Sequence, residues 1–382
     1  MQRGSRSNRL LDYWVGIPIL RIVAVLVRAV RGKRLWPQKV QRIGLVCSPA
    51  LGDTILFAGA LQDVRKRFPE AQLIHICMKQ NLAAAELLDG VDRRVIVDVT
   101  QPGETIGRIR GEKLDVLLDF SAWQRIIAFY TLLSGARFTA GFRTAGQHRA
   151  AAYDLVIEHR CDRHELENFR ALVQAVGISP GSDPRLRIPN VEVEPFLEAE
   201  DIVVFHLWAG TQAAIREWPE SSWIRLASAI SGPRTLFVIT GAPGDKPRVD
   251  IFCKNARAQG VNVVPFIGSD RFISLSHLLK RARIVISVNT GVMHLAAVLG
   301  APTISLNGPT DNRRWGPVGR WTEGVSAPGS GCGFLNLGFE FDGHPTDCME
   351  RITVGQVLTA VERLSKKASG GAGEKIATGS SR

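Results

Sequence analysis

The pattern of apolar and polar positions divides the chain into two series of alternating strands and helices. From residue 40 onward, short apolar runs typical of buried strands alternate with helical stretches, and the same alternation restarts at "DIVVFHL". A break rich in proline and acidic residues, 179–201, separates the two series. Alternating β and α elements predict parallel sheets. We therefore expect an α/β protein with two doubly wound Rossmann-like domains facing a central cleft, where ligands usually bind.

The expected domain limits follow this pattern. The first domain occupies residues 40–185 and the second 201–365, with a linker at 186–200. An N-terminal extension covers residues 1–39, and the low-complexity stretch 366–382 is expected to be disordered.

The N-terminal extension is both apolar and basic. Within "WVGIPILRIVAVLVRAVRGKRL", residues 14–35, the spacing of Arg21, Arg28 and Arg31 places all three on one face of a helix. The charges argue against a membrane-spanning segment, and the run lacks the small-residue cleavage site of a secretory signal. A basic amphipathic helix that binds an anionic membrane surface through residues 9–35 fits this pattern. The alternative is a helix that packs on the protein.

The charge is concentrated in the same part of the chain. Residues 1–42 contribute +9 to the net charge of +12 of the 382-residue chain. The remainder is nearly neutral, so a nucleic-acid partner is not expected.

The six cysteines are scattered and contain no CxxC pair. Cys332 and Cys348 flank a loop and could pair, but a cytoplasmic setting favours free thiols. No metal-ligand spacing is present, so neither a metal nor a cofactor is expected.

The first candidate site lies in "SPALGDTILFAGAL", directly after the first strand. Gly52 would allow a tight backbone turn close to a ligand. Asp53 is either a general base at the rim of the cleft or the N-cap of the following helix.

Two further segments follow strands of the second domain. In "HLWAGTQAAIREWPESSW", Thr211 and Gln212 lie in a loop, and Arg216 is suited to a diphosphate or to an ion pair with a neighbouring glutamate. In "TGAPGDK", Asp245 could contact a ribose hydroxyl or cap the next helix.

The segment "SVNTGVMHLAA" joins a strand to a helix through a polar turn. Backbone N–H groups and the helix dipole at Asn289, Thr290 and Gly291 would hold an anion, although the turn could be an ordinary one with Thr290 as N-cap. His294 either contacts a ligand or lies in the interior. Gly308 belongs to a second polar turn, expected beside the first.

Taken together, these motifs resemble glycosyltransferase family 9, the ADP-heptose:lipopolysaccharide heptosyltransferases. The resemblance rests on "ALGDTILFAGALQDVRKRFPEAQL", "REWPESSW", "VNTGVMHLAAVLGAPTISLNGPTD" and "DCMERITVGQVLTAVERL", in the family's order across residues 40–365. It implies a GT-B fold, with the sugar nucleotide held mainly by the second domain and the acceptor by the first.

The resemblance also assigns roles to residues. Asp53 matches the family's catalytic aspartate, Thr211 a phosphate-loop position, and Thr290, Gly291 and His294 the turn that grips the diphosphate. Arg216 stands in place of the usual lysine, and Asn289 in place of the usual aspartate.

The implied function is metal-independent, inverting transfer of a heptose or related sugar. The donor would be a nucleoside-diphosphate sugar, most simply ADP-heptose, and the acceptor a lipopolysaccharide core or another lipid-linked glycan at the inner face of the cytoplasmic membrane. Two alternatives stay open: a different sugar nucleotide in the same fold, and a catalytically weak glycan-assembly scaffold. A dehydrogenase is disfavoured because the chain lacks a GxGxxG fingerprint after a strand.

Overall fold

The computed structural model describes residues 12–32, 34–47, 50–191, 201–210, 214–268, 272–337, 340 and 345–371. The chain divides between Arg187 and Ile188 into two compact units.

The first unit is built on a six-stranded parallel sheet with the strand order β3-β2-β1-β4-β5-β6. The order reverses between β1 and β4, which makes this pair the topological switch point where ligands of doubly wound sheets bind. The strands are β1 (Arg42–Val46), β2 (Gln72–Met78), β3 (Arg93–Val97), β4 (Val116–Asp119), β5 (Phe138–Arg143) and β6 (Leu155–Glu158). The helices are α1 (Ile17–Arg31), α2 (Leu51–Arg67), α3 (Leu82–Glu86), α4 (Pro102–Gly111), α5 (Arg125–Leu133) and α6 (Glu165–Ala175).

The second unit repeats this topology, with the strand order β12-β11-β10-β7-β8-β9 and a switch point between β7 and β10. Its strands are β7 (Asp201–His206), β8 (Thr235–Gly241), β9 (Val263–Ile267), β10 (Ile284–Val288), β11 (Thr303–Asn307) and β12 (Thr322–Ser326). Its helices are α7 (Glu220–Ile230), α8 (Lys246–Ala258), α9 (Phe272–Arg281), α10 (Gly291–Val298), α11 (Asn312–Trp315) and α12 (Val354–Gly371). The two parallel sheets confirm the predicted α/β fold.

An aromatic core supports the start of the second unit. The rings of Phe205, on β7, and Trp223, on α7, are 4.8 Å apart between centroids. The indole N–H of Trp218 donates to the carbonyl of Ile352, 2.8 Å away, so the segment after β7 is tied to the segment that leads into α12. Burying these large rings stabilises the carboxyl end of β7, where the candidate site lies.

The N-terminal helix α1 belongs to the first unit. Leu20 and Ala24 are buried against Leu132 and Tyr153, and the guanidinium of Arg28 donates to the carbonyl of Tyr153 at 3.1 Å. Packing on the protein, one of the two predictions for this segment, is therefore observed. This packing does not test the prediction that the helix binds an anionic membrane surface. Among the described helices, none has the length and apolar character of a membrane span.

The expectation of free thiols at Cys332 and Cys348 is wrong, because the structure joins them in a disulfide. The loop between them folds back on the turn at Gly308, where the N–H of Gly333 donates to the Gly308 carbonyl at 3.0 Å. This return of the chain brings the two sulfurs together, and sequence spacing alone does not show it. The last helix also continues to Gly371, five residues beyond the start of the predicted disordered tail.

Candidate functional site

The switch point of the second sheet brings two predicted segments together. Strands β7 and β10 are parallel neighbours, so the loops that leave their carboxyl ends lie side by side. Arg216, in a short 3₁₀ turn after β7, donates from its guanidinium to the carbonyl oxygen of Asn289 at 3.4 Å. The fixed cation thus lies against the turn that opens α10. The two carboxylates close to it in sequence have partners elsewhere, since Glu217 binds Arg248 and Glu220 accepts from Asn255.

The start of α10 has the form expected of an anion site. Thr290 occupies the N-cap position in extended conformation, and its side chain makes no capping hydrogen bond. Both Thr290 and Gly291 are partly exposed at this end of the helix. The first N–H groups of a helix point along its axis and carry partial positive charge, so this end can bind a phosphate.

Asn289 plays a structural part in this turn. Its buried amide nitrogen donates to the side-chain oxygen of Asn307 at 2.9 Å and to the carbonyl of Trp315 at 2.8 Å. The amide therefore joins the turn after β10 to the turn after β11. An aspartate carboxylate cannot donate either bond, which gives a physical reason for the asparagine at a position where the resembled family has an aspartate.

Gly308 lies in the second polar turn, under close packing. A Cβ atom added there would lie 2.5 Å from the Sδ atom of Met349 and 3.0 Å from its backbone nitrogen. Only glycine fits, and the neighbouring Cys332–Cys348 disulfide ties the segments that cover this turn.

A buried histidine joins the carboxyl ends of β7 and β8. His206 ends β7, and its Nδ1 lies 2.8 Å from the hydroxyl of Thr240. Burial lowers the pKa of His206 to about 4, so the ring is neutral near pH 7, although the charge of Asp245 acts in the opposite direction. The carboxylate of Asp245 accepts from the N–H of Ala242 at 2.9 Å, which places it at the carboxyl end of β8.

The remaining predicted residues of this unit differ in outcome. His294 is buried, so the structure places it in the interior, within the first turn of α10. Thr211 and Gln212 lie outside the described residues.

In the first unit, the structure corrects the local setting of Asp53. Helix α2 begins at Leu51 with Ala50 as its N-cap, so Gly52 is helical and Asp53 lies in the first turn rather than capping it. Asp53 is half-buried next to the end of β1. The pKa of the buried Cys47 thiol is raised well above its usual range, first by burial and then by the charge of Asp53.

A residue that the sequence reasoning missed holds this helix start in place. The buried amide of Asn81 donates to the carbonyl of Cys47 at 2.9 Å and to the hydroxyl of Thr54 at 2.8 Å. Thr54 in turn donates to the carbonyl of Ala50. Asn81 therefore fixes the connection that positions Asp53, and no local pattern in the sequence indicates a contact across 34 residues.

A second missed feature is the buried charge at the end of β4. Asp119 is fully buried and accepts from the guanidinium of Arg149 at 2.6 Å, the hydroxyl of Tyr153 at 2.7 Å and the N–H of Ser121 at 2.9 Å. These donors compensate the carboxylate, which lies at the switch point beside β1. Within the described part of the chain, no group of His, Cys, Asp and Glu side chains is arranged to hold a metal ion.

Known proteins resemble this chain in sequence. The model of glycosyltransferase family 9 (heptosyltransferase) matches residues 106–333. Lipopolysaccharide heptosyltransferase 1 of Escherichia coli O18:K1:H7 is 27% identical over 232 residues, 58% of this chain and 68% of that protein. Lipopolysaccharide heptosyltransferase 3 of Escherichia coli is 32% identical over 103 residues, 26% of this chain and 29% of that protein. The chain thus aligns with between 29% and 68% of the length of the curated relatives.

Solved structures share the whole fold at low sequence identity. A glycosyl transferase family 9 protein from Veillonella parvula superposes with a TM-score of 0.70 at 17% identity, covering 86% of this chain and 98% of that one. The Escherichia coli heptosyltransferase WaaC, solved with ADP, gives a TM-score of 0.66 at 19% identity, covering 85% of this chain and all of that one. These likenesses show the two-domain GT-B fold.

Proposed function

Because the chain belongs to glycosyltransferase family 9, we propose that it transfers a heptose or a related sugar from a nucleoside-diphosphate sugar to a lipid-linked glycan. The names of its relatives favour a heptose as the sugar, ADP as the nucleotide and lipopolysaccharide as the acceptor, and we therefore propose ADP-heptose as the donor. The enzyme would act at the inner face of the cytoplasmic membrane.

The observation that carries this proposal is the position of Arg216 against the start of α10. A guanidinium at the Asn289 carbonyl, next to the N–H groups of Thr290 and Gly291, forms a positively charged corner at the switch point of the second sheet. We assign the diphosphate of the donor to this corner. Asp245, at the adjacent strand end, would accept a hydrogen bond from a ribose hydroxyl.

The proposed chemistry is a single inverting displacement. Asp53 takes the proton from an acceptor hydroxyl as that oxygen attacks the anomeric carbon of the donor, and the bond from this carbon to the diphosphate breaks on the opposite face. The configuration at the anomeric carbon inverts. Charge that develops on the leaving diphosphate is stabilised by Arg216 and by the N–H groups of α10, whose orientation the fold has already fixed.

The test is nucleotide binding measured by thermal shift. Wild-type protein should be stabilised by ADP and ADP-heptose more than by UDP or GDP species. Arg216→Ala should weaken ADP binding by roughly one to two orders of magnitude, since a hydrogen bond to a charged group contributes about 1.5–3 kcal/mol. Arg225→Ala, which removes an exposed arginine from α7, is the matched control and should bind ADP as the wild type does.

Each alternative has its own signature in this assay. A shift with UDP or GDP species alone would keep the fold and replace the donor. No shift with any nucleotide would favour a glycan-assembly scaffold, and unchanged ADP affinity in Arg216→Ala would remove Arg216 from the diphosphate site.

A further inference from the structure

The side of α1 that faces away from the protein is apolar. Ile19, Ile22, Val25, Leu26 and Val30 are between 45% and 87% exposed, and we call them the outer face. At 100° per residue they lie within an arc of about 140°, opposite the buried side that packs on α5. An exposed apolar surface of this kind marks an interaction site rather than ordinary solvent-facing helix.

Positive charge forms a basic edge at the C-terminal end of α1. Helix α1 contains no acidic residue, and Arg31 is its last residue, on the side of the helix opposite the outer face. Burial is the first cause that lowers the pKa of Arg31, and the nearby positive charges of Arg34 and Arg110 lower it further. The charge of Asp154 acts in the opposite direction. Arg31 and Arg110 are exposed, so this basic edge is open to an anionic partner.

We propose that the outer face of α1 inserts into the interfacial layer of an anionic phospholipid bilayer, with Arg31 and Arg110 at the level of the lipid phosphates. An apolar strip with exposed cations at one end complements a surface with an apolar interior and anionic headgroups. A second copy of this chain fits less well, because it would add further cationic edges without an acidic residue from α1. The inference rests on the proposed function only in placing the acceptor at a membrane, and it names the surface that makes the contact.

The structure also revises how the helix would meet the bilayer. Arg21 and Arg28 lie on the flank of α1 and contact His148 and the Tyr153 carbonyl of the same unit. The insertion surface is therefore the apolar outer face, and the arginines border it. Because one side of α1 packs on the first unit, insertion would hold that whole unit at the membrane rather than tether it by a flexible arm.

The experiment is co-sedimentation of the full-length protein with vesicles of phosphatidylcholine, with and without one quarter phosphatidylglycerol. Ile22→Glu should lower binding to the anionic vesicles at least tenfold. Ile251→Glu is the matched control, because Ile251 on α8 is 57% exposed and Ile22 is 59% exposed. This control should bind as the wild type does.

The basic edge is tested separately. Arg31→Gln and Arg110→Gln should each lower binding to anionic vesicles roughly fivefold and leave binding to neutral vesicles unchanged. Wild-type binding by Ile22→Glu would overturn the proposal. So would a lipid-free dimer that Ile22→Glu converts to monomer, since the outer face would then be a protein interface.

The ADP-induced thermal shift, recorded on the same samples, reports on the donor site independently. Wild-type protein that shows the shift but does not bind vesicles argues against this inference alone. An absent shift in wild-type protein that still binds vesicles argues against the proposed function alone.

Discussion

The asparagine that links the two polar turns allows a sharp test, the change Asn289→Asp, which introduces the residue usual in the family. The amide of Asn289 donates to Asn307 at 2.9 Å in a buried contact and to the carbonyl of Trp315 at 2.8 Å in a partly buried one. A carboxylate would place oxygen against oxygen at both. Leaving the buried acceptor of Asn307 without its donor costs about 1–3 kcal/mol, and the partly buried carbonyl of Trp315 adds about 1 kcal/mol. We therefore expect the free energy of unfolding to fall by roughly 2–4 kcal/mol.

Rearrangement offers little relief. The carbonyl of Trp315 can only accept a hydrogen bond. The side-chain amide of Asn307 is held in its orientation because it donates to the hydroxyl oxygen of Ser305 at 2.8 Å. Rotating that amide would give up this bond. The melting temperature should therefore fall by about 4–16 °C, since 1 kcal/mol corresponds to about 2–4 °C in a domain of this size.

The pH dependence identifies the cause. A protonated carboxyl can donate to one of the two oxygens, so its pKa in the folded protein would be raised above the unfolded value of about 3.9. The folded state then binds the proton more tightly. The loss of unfolding free energy in Asn289→Asp, its deficit, is therefore complete at pH values above the raised pKa. It shrinks as the pH falls through that pKa, by about 1.4 kcal/mol per pH unit.

Denaturant unfolding at pH 8 and pH 5.5 measures both effects. Asn190→Asp is the matched control, because Asn190 is exposed and a carboxylate there stays hydrated. We expect a change below about 0.5 kcal/mol for the control. A stable Asn289→Asp variant, or a deficit equal at the two pH values, would refute the reasoning.

The remaining predictions concern the base and the disulfide. Asp53→Asn should lower the rate of sugar transfer by about two to four orders of magnitude and leave the ADP-induced thermal shift unchanged. Asp183→Asn is the control, because Asp183 is exposed. Substantial turnover by Asp53→Asn would remove Asp53 from catalysis. Cys348→Ser should lower stability by about 3 kcal/mol, because it opens the loop closed with Cys332, 16 positions away. Reductant should then lower the melting temperature of wild-type protein alone, and an equal effect on the variant would show that no such bond forms.

The fold was predictable where apolar runs are continuous. Strands such as β2, "QLIHICM", read as buried from their composition, and the alternation predicts the parallel sheets. Strands β5, β6 and β12 were not recognised individually. β6 has only four residues, and β5 carries Gly141, which is weak in a strand by propensity. The structure explains this glycine, because an added Cβ would lie 2.6 Å from the ring of Tyr153.

The candidate site was predictable to the extent that it follows strand ends. Arg216 and Asn289 follow β7 and β10, and these strands become neighbours in any sheet that repeats the doubly wound order. The supporting contacts of Asn81 and Asn307 depend on side chains far apart in the chain, and a single sequence carries no signal for them. The roles proposed for Asp53, Asp245 and Thr290 stay predictions until the variants are measured.

The packing of α1 has a practical consequence for protein production. Trimming residues 1–35 to obtain a less adhesive protein would strip the cover from Leu132 and Tyr153 and remove the bond from Arg28 to the Tyr153 carbonyl. The shortened chain would lose the exposed apolar face of α1 but expose a new apolar surface at Leu132 and Tyr153, next to the buried carboxylate of Asp119. Single polar replacements on the outer face are the better route to a well-behaved sample, since they leave the inner packing whole.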